Sequence, residues 1–436
     1  MANPHHNTES DKFPIDRAKW VSATLFLVSA FSAAAAPPED SDLDALNTAD
    51  QAVKPIEMPS DWHTFIEGAY GDTQQRYSLP SYASGRLSLD TALDKTLAPG
   101  WRLVFADRLD LDWQDQAPQQ ARINTLKELY LSWQFAPDQI IDAGRINTRY
   151  GVATGYNPTD YFRSDAVRSQ VSVNPSSLRN NRLGSVMLRG QTLWNGGSLT
   201  GIVSPKLDPA ASSEPYNVDL GATNHANRYL LALSEQFSDA FNPQFLVYGE
   251  QGKSAQFGFD LTHLIGDATV AFVEWSGGQG ASLYAQSTGG AARETFCNRL
   301  ATGFTYTTPG KVSITVEAEY NGAAMDESNW NALGKGPLPR YLQYRNFVQA
   351  AQDIPTKEAA FAYVSWQDAF VTHLDLTALA RQDLLDQSRL AWAEARYHWI
   401  HADAALQWQH YGGKAWSDFG VLPARTTWQT VVTYYF

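Results

Sequence analysis

The sequence predicts an all-β fold, a transmembrane antiparallel β-barrel of about eighteen strands with short turns at one end and long loops at the other. Three observations carry that expectation: a secretory leader, a body that alternates apolar and polar residues between turn residues, and an aromatic last residue with alternation behind it. The composition agrees. Of 436 residues, 44% are apolar, 12% aromatic and only 18% charged, and 14 Trp, 20 Tyr and 20 Phe stand beside 4 Met. Aromatic side chains suit strands and membrane interfaces. A mean hydropathy of -0.35 excludes a helical membrane bundle. A single cysteine, Cys297, excludes an intramolecular disulfide framework and a cysteine-rich metal site.

Residues 1–36 read as a signal peptide. Arg17 and Lys19 precede an apolar run over 20–31, and the alanines at 33–36 are small enough for a signal peptidase. Residues 37–60 hold Glu39, Asp40, Asp42, Asp44, Asp50 and Glu57 against Lys54, with no period. That pattern describes a solvated acidic tether on the periplasmic side, where a periplasmic partner could dock.

Residues 61–436 form the expected barrel. Eighteen alternating segments lie close to Trp62, Gly85, Trp101, Ile123, Ile140, Arg182, Ser198, Arg228, Gln244, Ala255, Asp267, Asn298, Lys311, Glu358, Thr372, Arg389, Ala402 and Thr426; sixteen remain if one weak hairpin is a loop. Loop length offers a check, because outer-membrane barrels have short turns on one side and longer loops on the other. The even-to-odd connections are short and carry turn residues such as Pro99-Gly100, Pro137-Asp138 and Pro309-Gly310, whereas 148–181, 207–226, 277–297 and 322–357 all fall at the opposite end.

Individual strands separate two faces. In 101–113, Trp101, Leu103, Phe105, Leu109 and Leu111 share one row, broken only by Asp107, and Arg102, Arg108, Asp110 and Asp112 share the other. In 311–320, Val312, Ile314, Val316 and Ala318 face outward, with Ser313, Thr315, Glu317 and Glu319 inward. The last strand places Trp428, Thr430, Val432, Tyr434 and Phe436 outward. Charges facing lipid would cost roughly 2–4 kcal/mol each near the midplane, whereas lumen charges stay hydrated and can select solutes. A barrel of this strand number encloses an aqueous channel.

The loop after the fifth segment reverses the overall charge of -13. Arg145, Arg149, Arg163, Arg168, Arg179 and Arg182 meet only Asp160 and Asp165. Folded into the mouth, these guanidinium groups would attract anions through paired hydrogen bonds. Two other roles are open to them: binding lipopolysaccharide phosphates, or pairing with an acidic loop such as 207–219. Arg102, Arg108 and Glu128 join them as candidate pore residues.

The stretch 126–151 followed by 156–162, with Lys127, Glu128, Tyr130, Gly144, Arg145, Asn157, Pro158 and Asp160, resembles outer-membrane porin-like families of the alginate-export type. The resemblance covers about a tenth of the chain. It implies an arginine-lined pore for an acidic polysaccharide, with export and uptake both open. The segment after Arg145 departs from the glutamine-rich form common in such proteins.

The aromatic end, with Trp428, Tyr434 and Phe436, is similar to the C-terminal signature that the barrel assembly machinery reads in bacterial outer-membrane proteins. Lipid and lipopolysaccharide are then the surrounding partners, in the outer membrane of a Gram-negative bacterium. His398 and His401 straddle a tight turn without a carboxylate at ligand spacing, so no metal is expected. Glu394, Arg396 and His398 share one inner face, as a hydrated charge ladder paired with Asp375, Arg381 and Asp383 rather than a catalytic group. No cofactor or nucleic-acid motif is present, and the acidic balance argues against nucleic acid. The expected function is a channel for anionic solutes or an acidic polymer, not an enzyme. Two rivals are a receptor or adhesin that uses loops 277–297 and 322–357, and a hydrophobic-compound transporter with Leu338, Tyr341, Tyr344 and Phe347 on its path.

Overall fold

A computed structural model describes residues 61–115, 122–238, 241–290 and 293–436. The expected leader at 1–36 and tether at 37–60 lie outside the described residues. Eighteen strands follow in chain order: β1 Trp62–Gln75, β2 Tyr82–Ala98, β3 Trp101–Gln114, β4 Arg122–Ala136, β5 Gln139–Ile146, β6 Ser185–Trp194, β7 Gly197–Ser204, β8 Arg228–Glu235, β9 Gln244–Glu250, β10 Gln256–Ile265, β11 Thr269–Gly280, β12 Thr295–Thr307, β13 Val312–Asn321, β14 Glu358–Trp366, β15 Leu374–Asp383, β16 Arg389–His398, β17 Ala402–Gly412 and β18 Ala424–Tyr435. Each pairs antiparallel with the next, and β18 returns to pair with β1 from Phe65↔Tyr435 to Gln75↔Ala424. Closure leaves no open edge, which is what a sheet surrounded by hydrocarbon requires.

All eighteen expected segments are strands, so the sixteen-strand alternative falls away. The loop-length parity also holds. The connections 99–100, 137–138, 195–196, 266–268, 308–311 and 399–401 lie at one end, and 147–184, 205–227, 281–294 and 322–357 at the other. The two-residue turn 99–100 depends on Gly100, whose φ of +77 would strain any other residue and whose added Cβ would lie 2.5 Å from the Gln134 carbonyl.

The pleat sorts side chains as expected. On β13, Ser313, Thr315, Glu317 and Glu319 are buried in the interior while Val316 is 41% exposed on the outside. On β18, Val431 and Thr433 are buried, and Trp428, Val432 and Tyr434 are exposed. Five short helices are described, all at the long-loop end: α1 Pro175–Asn180, α2 Leu220–Thr223, α3 Leu283–Thr288, α4 Glu327–Gly334 and α5 Leu338–Ala350. The last three pack their own apolar core of Leu283, Trp330, Leu333, Tyr341, Tyr344 and Val348. Tyr341 and Tyr344 therefore hold a loop together; they do not line an apolar path as the transporter alternative needed.

Candidate functional site: a lumen divided by one loop

Loop 147–184 folds into the barrel and crosses it. Its first half is held by carboxylates on the inner faces of β10, β11 and β13. Glu274 accepts the backbone N–H groups of Val152 (2.9 Å), Ala153 (3.0 Å) and Thr159 (2.9 Å), together with Asn157 Nδ2 at 3.1 Å. The Thr159 hydroxyl lies 2.9 Å from both Asp260 and Glu274. Glu317 accepts the N–H groups of Thr154 and Gly155. Gly155 runs so close to the wall that an added Cβ would meet Phe361 at 2.6 Å and Glu319 at 2.7 Å. The second half reaches the opposite wall, where Arg86 of β2 donates to the Val171 carbonyl at 3.3 Å.

Between these anchors stands α1. Asn174 caps it by accepting the Ser176 N–H at 3.1 Å, with Pro175 at the first helical position, where its missing donor costs nothing. The helix works as a septum. Pro175, Leu178 and Arg179 line a cavity of about 790 Å³ toward the long-loop end. Ser176, Ser177 and Asn180 line a second cavity of about 570 Å³ toward the short-turn end.

The short-turn cavity is walled by ion pairs. Arg86 and Arg108 share Glu67 at 2.7 and 2.8 Å, Arg108 also reaches Asp110 at 2.9 Å, and Lys127 meets Asp90 at 2.7 Å. Across the lumen Arg396 pairs with Glu394 at 2.9 Å, and His398 Nδ1 lies 2.9 Å from Asp403, with Asp375 at 3.3 Å from Nε2. Of the expected ladder partners, Asp375 is in place, whereas Arg381 turns to Glu319 at 2.6 Å and Asp383 accepts from Thr356 at 2.5 Å. Arg102 pairs with Asp94 at the short-turn mouth, and Glu128 accepts the Asn147 N–H at 3.2 Å. His401 sits in the turn between β16 and β17.

The six loop arginines do not form one ring. Arg182 is buried against Asp160 at 2.7 Å and Asn147 at 2.8 Å. Arg163 is buried between Asp353 (2.8 Å) and the Asn157 carbonyl, 5.0 Å from the Tyr156 ring. The carboxylates and the tyrosine around Arg163 raise its pKa further above the usual range, against the effect of burial. Arg179 donates to the Ala153 carbonyl at 2.7 Å and to Asn157. Arg168 donates to the carbonyls of Asn124 (2.9 Å), Asn217 (2.6 Å) and Glu214 (2.8 Å), with Asp219 at 3.7 Å. Arg149 is exposed.

Arg145 is a correction to the expected pore set. The register places it in the row of Leu129, Ala143, Val186 and Leu188, the outward row of β4–β6, so it does not face the lumen. It is nevertheless buried, because loop 205–227 lies over it and its guanidinium meets the Leu126 and Asp219 carbonyls at 3.4 and 3.5 Å. Its parity with the inward Asp142, three residues earlier, carried that signal. The anchoring carboxylates Asp260, Glu274 and Glu317 and the septum α1 were not expected from the sequence.

Among solved structures, the chain is similar to OccAB1 of Acinetobacter baumannii, with 10% identity, a TM-score of 0.57 and coverage of 89% of this chain and 99% of that one. It is also similar to OpdQ of Pseudomonas aeruginosa, with 10% identity, a TM-score of 0.54 and coverage of 86% and 99%. These neighbours are outer-membrane porins of Gram-negative bacteria. The fold is that of an eighteen-stranded porin. The likeness supports a porin-like barrel and does not extend to the alginate-export type in particular. No protein-family model and no curated protein matches the sequence.

Proposed function

We propose that this chain is an outer-membrane channel for small hydrophilic solutes, with anions preferred and with the long loops outside. The outward rows of Leu, Val and aromatic residues fit a lipid surround, and the two cavities on either side of α1, both lined in part by charged side chains, fit a conduit. The observation that carries the anion preference is the charge lining the long-loop cavity. Arg163, Arg168, Arg179, Arg182, Arg345 and Arg381 stand there against Asp160, Asp353, Asp383 and Asp418, an excess of two cations. Arg168 directs its short bonds to the neutral carbonyls of Asn124, Asn217 and Glu214, with the Asp219 carboxylate farther off at 3.7 Å. Desolvation is the price of holding Arg168 there, and its pKa falls accordingly while it remains a cation at neutral pH.

The septum favours small solutes over an acidic polymer. A polysaccharide strand would have to pass a loop fixed to β10, β11 and β13 by many charge-assisted bonds. The surface-receptor reading draws on one observation, the packed platform of α3–α5 at the long-loop end. Planar-bilayer recording in a KCl gradient separates these readings. We expect an open pore whose reversal potential reports chloride preference, weakened in Arg168→Gln. A cation-selective wild-type pore refutes the anion preference, and a silent protein refutes the channel.

A further inference from the structure

The lumen wall is ionic on β1–β4 but apolar at mid-height on β14–β17. The register sets Tyr363, Leu379 and Trp392 side by side in one inward row, and Phe361, Leu390 and Tyr411 in the next row toward the long-loop end, with Arg381 between Phe361 and Leu390. Five of these residues form one buried apolar cluster, against which Tyr411 and Val173 of the septum shoulder pack. The belt passes the septum. Phe361, Leu379, Leu390 and Tyr411 line the long-loop cavity, and Tyr363 and Trp392 line the short-turn cavity.

The two shoulders of the loop are held by different physics. Residues 152–159 are fixed by buried carboxylates that accept backbone N–H groups, which are strong, directional bonds. At 171–174 the described contacts to the wall are the bond from Arg86 to the Val171 carbonyl, a side-chain hydrogen bond between Asn174 and Tyr363, and the seating of Val173 on the belt. An apolar contact is non-directional and scales with buried area, so another apolar group of similar size can replace Val173 without loss. The cavities on either side, of about 790 and 570 Å³, have the size of small-molecule sites.

We propose that this belt is a binding site for the aryl or branched-alkyl group of a permeating solute, which takes the seat of Val173 and frees that shoulder of the septum. The proposal rests on the channel reading and narrows its solute class to organic ions with a compact apolar body. The excess of cations in the long-loop cavity gives such a solute its polar contact, and the belt gives it a path past α1.

The test uses the full-length protein in planar bilayers, with potassium phenylacetate and potassium acetate as probes of equal charge. Phenylacetate should interrupt the current in resolved blocks that acetate does not produce. Val173→Ala, which weakens the internal competitor, should tighten phenylacetate binding severalfold, and Leu379→Ala should weaken it by about tenfold. Heat-modifiable gel mobility shows that each variant is folded. If Leu379→Ala fails to fold, Val173→Ala, in a loop, still decides. Equal behaviour of the two carboxylates in the wild type overturns the belt, as does an unchanged phenylacetate affinity in Val173→Ala. Cation selectivity in KCl with phenylacetate blocks intact would remove the anion preference and support the belt. Chloride preference with no difference between the probes would do the reverse.

Discussion

Replacing Glu274 by alanine should unlatch the septum. The carboxylate accepts five hydrogen bonds from loop 147–184: three from backbone N–H groups, one from the Thr159 hydroxyl and one from Asn157. Hydrogen bonds to charged groups contribute about 1.5–3 kcal/mol each in net terms. Water in the lumen can satisfy freed donors once the segment lifts, so about 1 kcal/mol for each of the three backbone bonds is the cautious figure. Asp260, which shares the Thr159 hydroxyl, loses a like-charged neighbour, and that relief offsets part of the remaining loss. The net is about 3 kcal/mol, roughly a hundredfold shift toward the lifted loop. Single-channel recording should show larger unitary conductance and more open-channel noise in Glu274→Ala, with Glu274→Gln between the two because its amide still offers one acceptor oxygen. Conductance and noise identical to wild type in the alanine variant would refute the assignment of this carboxylate as the latch.

Three further outcomes follow from the same geometry. Arg182→Met leaves the buried Asp160 carboxylate without its cation, a change of about 3–5 kcal/mol by the usual cost of breaking a buried pair, and Arg182→Met with Asp160→Leu should recover most of it; thermal unfolding followed by gel mobility measures both. Trp330→Ala should destabilise the α3–α5 platform by about 3–5 kcal/mol, which protease cleavage within loop 322–357 measures. Burial lifts the Asp418 carboxyl above its ordinary range despite the Arg345 guanidinium 2.7 Å away. A raised folded-state pKa means that docking of loop 413–423 is strongest below the unfolded carboxylate pKa and is lost as pH rises through the raised one, so protease nicking there should increase with pH, and Asp418→Asn should flatten the profile.

The barrel was legible because a closed sheet in lipid imposes a period of two on every strand, and β13 and β18 display it with hardly a break. Loop lengths then fixed which end was which. The path of loop 147–184 was not legible, because its anchors couple residues more than a hundred positions apart and use backbone donors that every residue type carries. Arg145 was misplaced for a different reason. An arginine in a porin strand suggests the lumen, but its alternation with Asp142 points outward, and a loop from elsewhere in the chain shields it.

A subtler signal lay in the charge balance of the wall. The inward positions of β1–β4 carry cations and carboxylates in near equality, and these neutralise each other across strands. The wall of β10–β13 carries Asp260, Glu274, Glu317 and Glu319 against Arg299; Arg381 of β15 takes Glu319, which leaves three buried carboxylates against one cation. Buried carboxylates without cations must find hydrogen-bond donors, since an unpaired buried charge is among the most costly groups a protein can hold. The uncharged run Gly151, Val152, Ala153, Thr154 and Gly155 is the complement: it offers chiefly its N–H groups, and the lack of bulk at Gly151 and Gly155 lets the backbone approach the wall. An excess of inward acids on one arc of a barrel, with a long loop that contains a short uncharged run of mostly small residues, therefore marks where that loop is pinned.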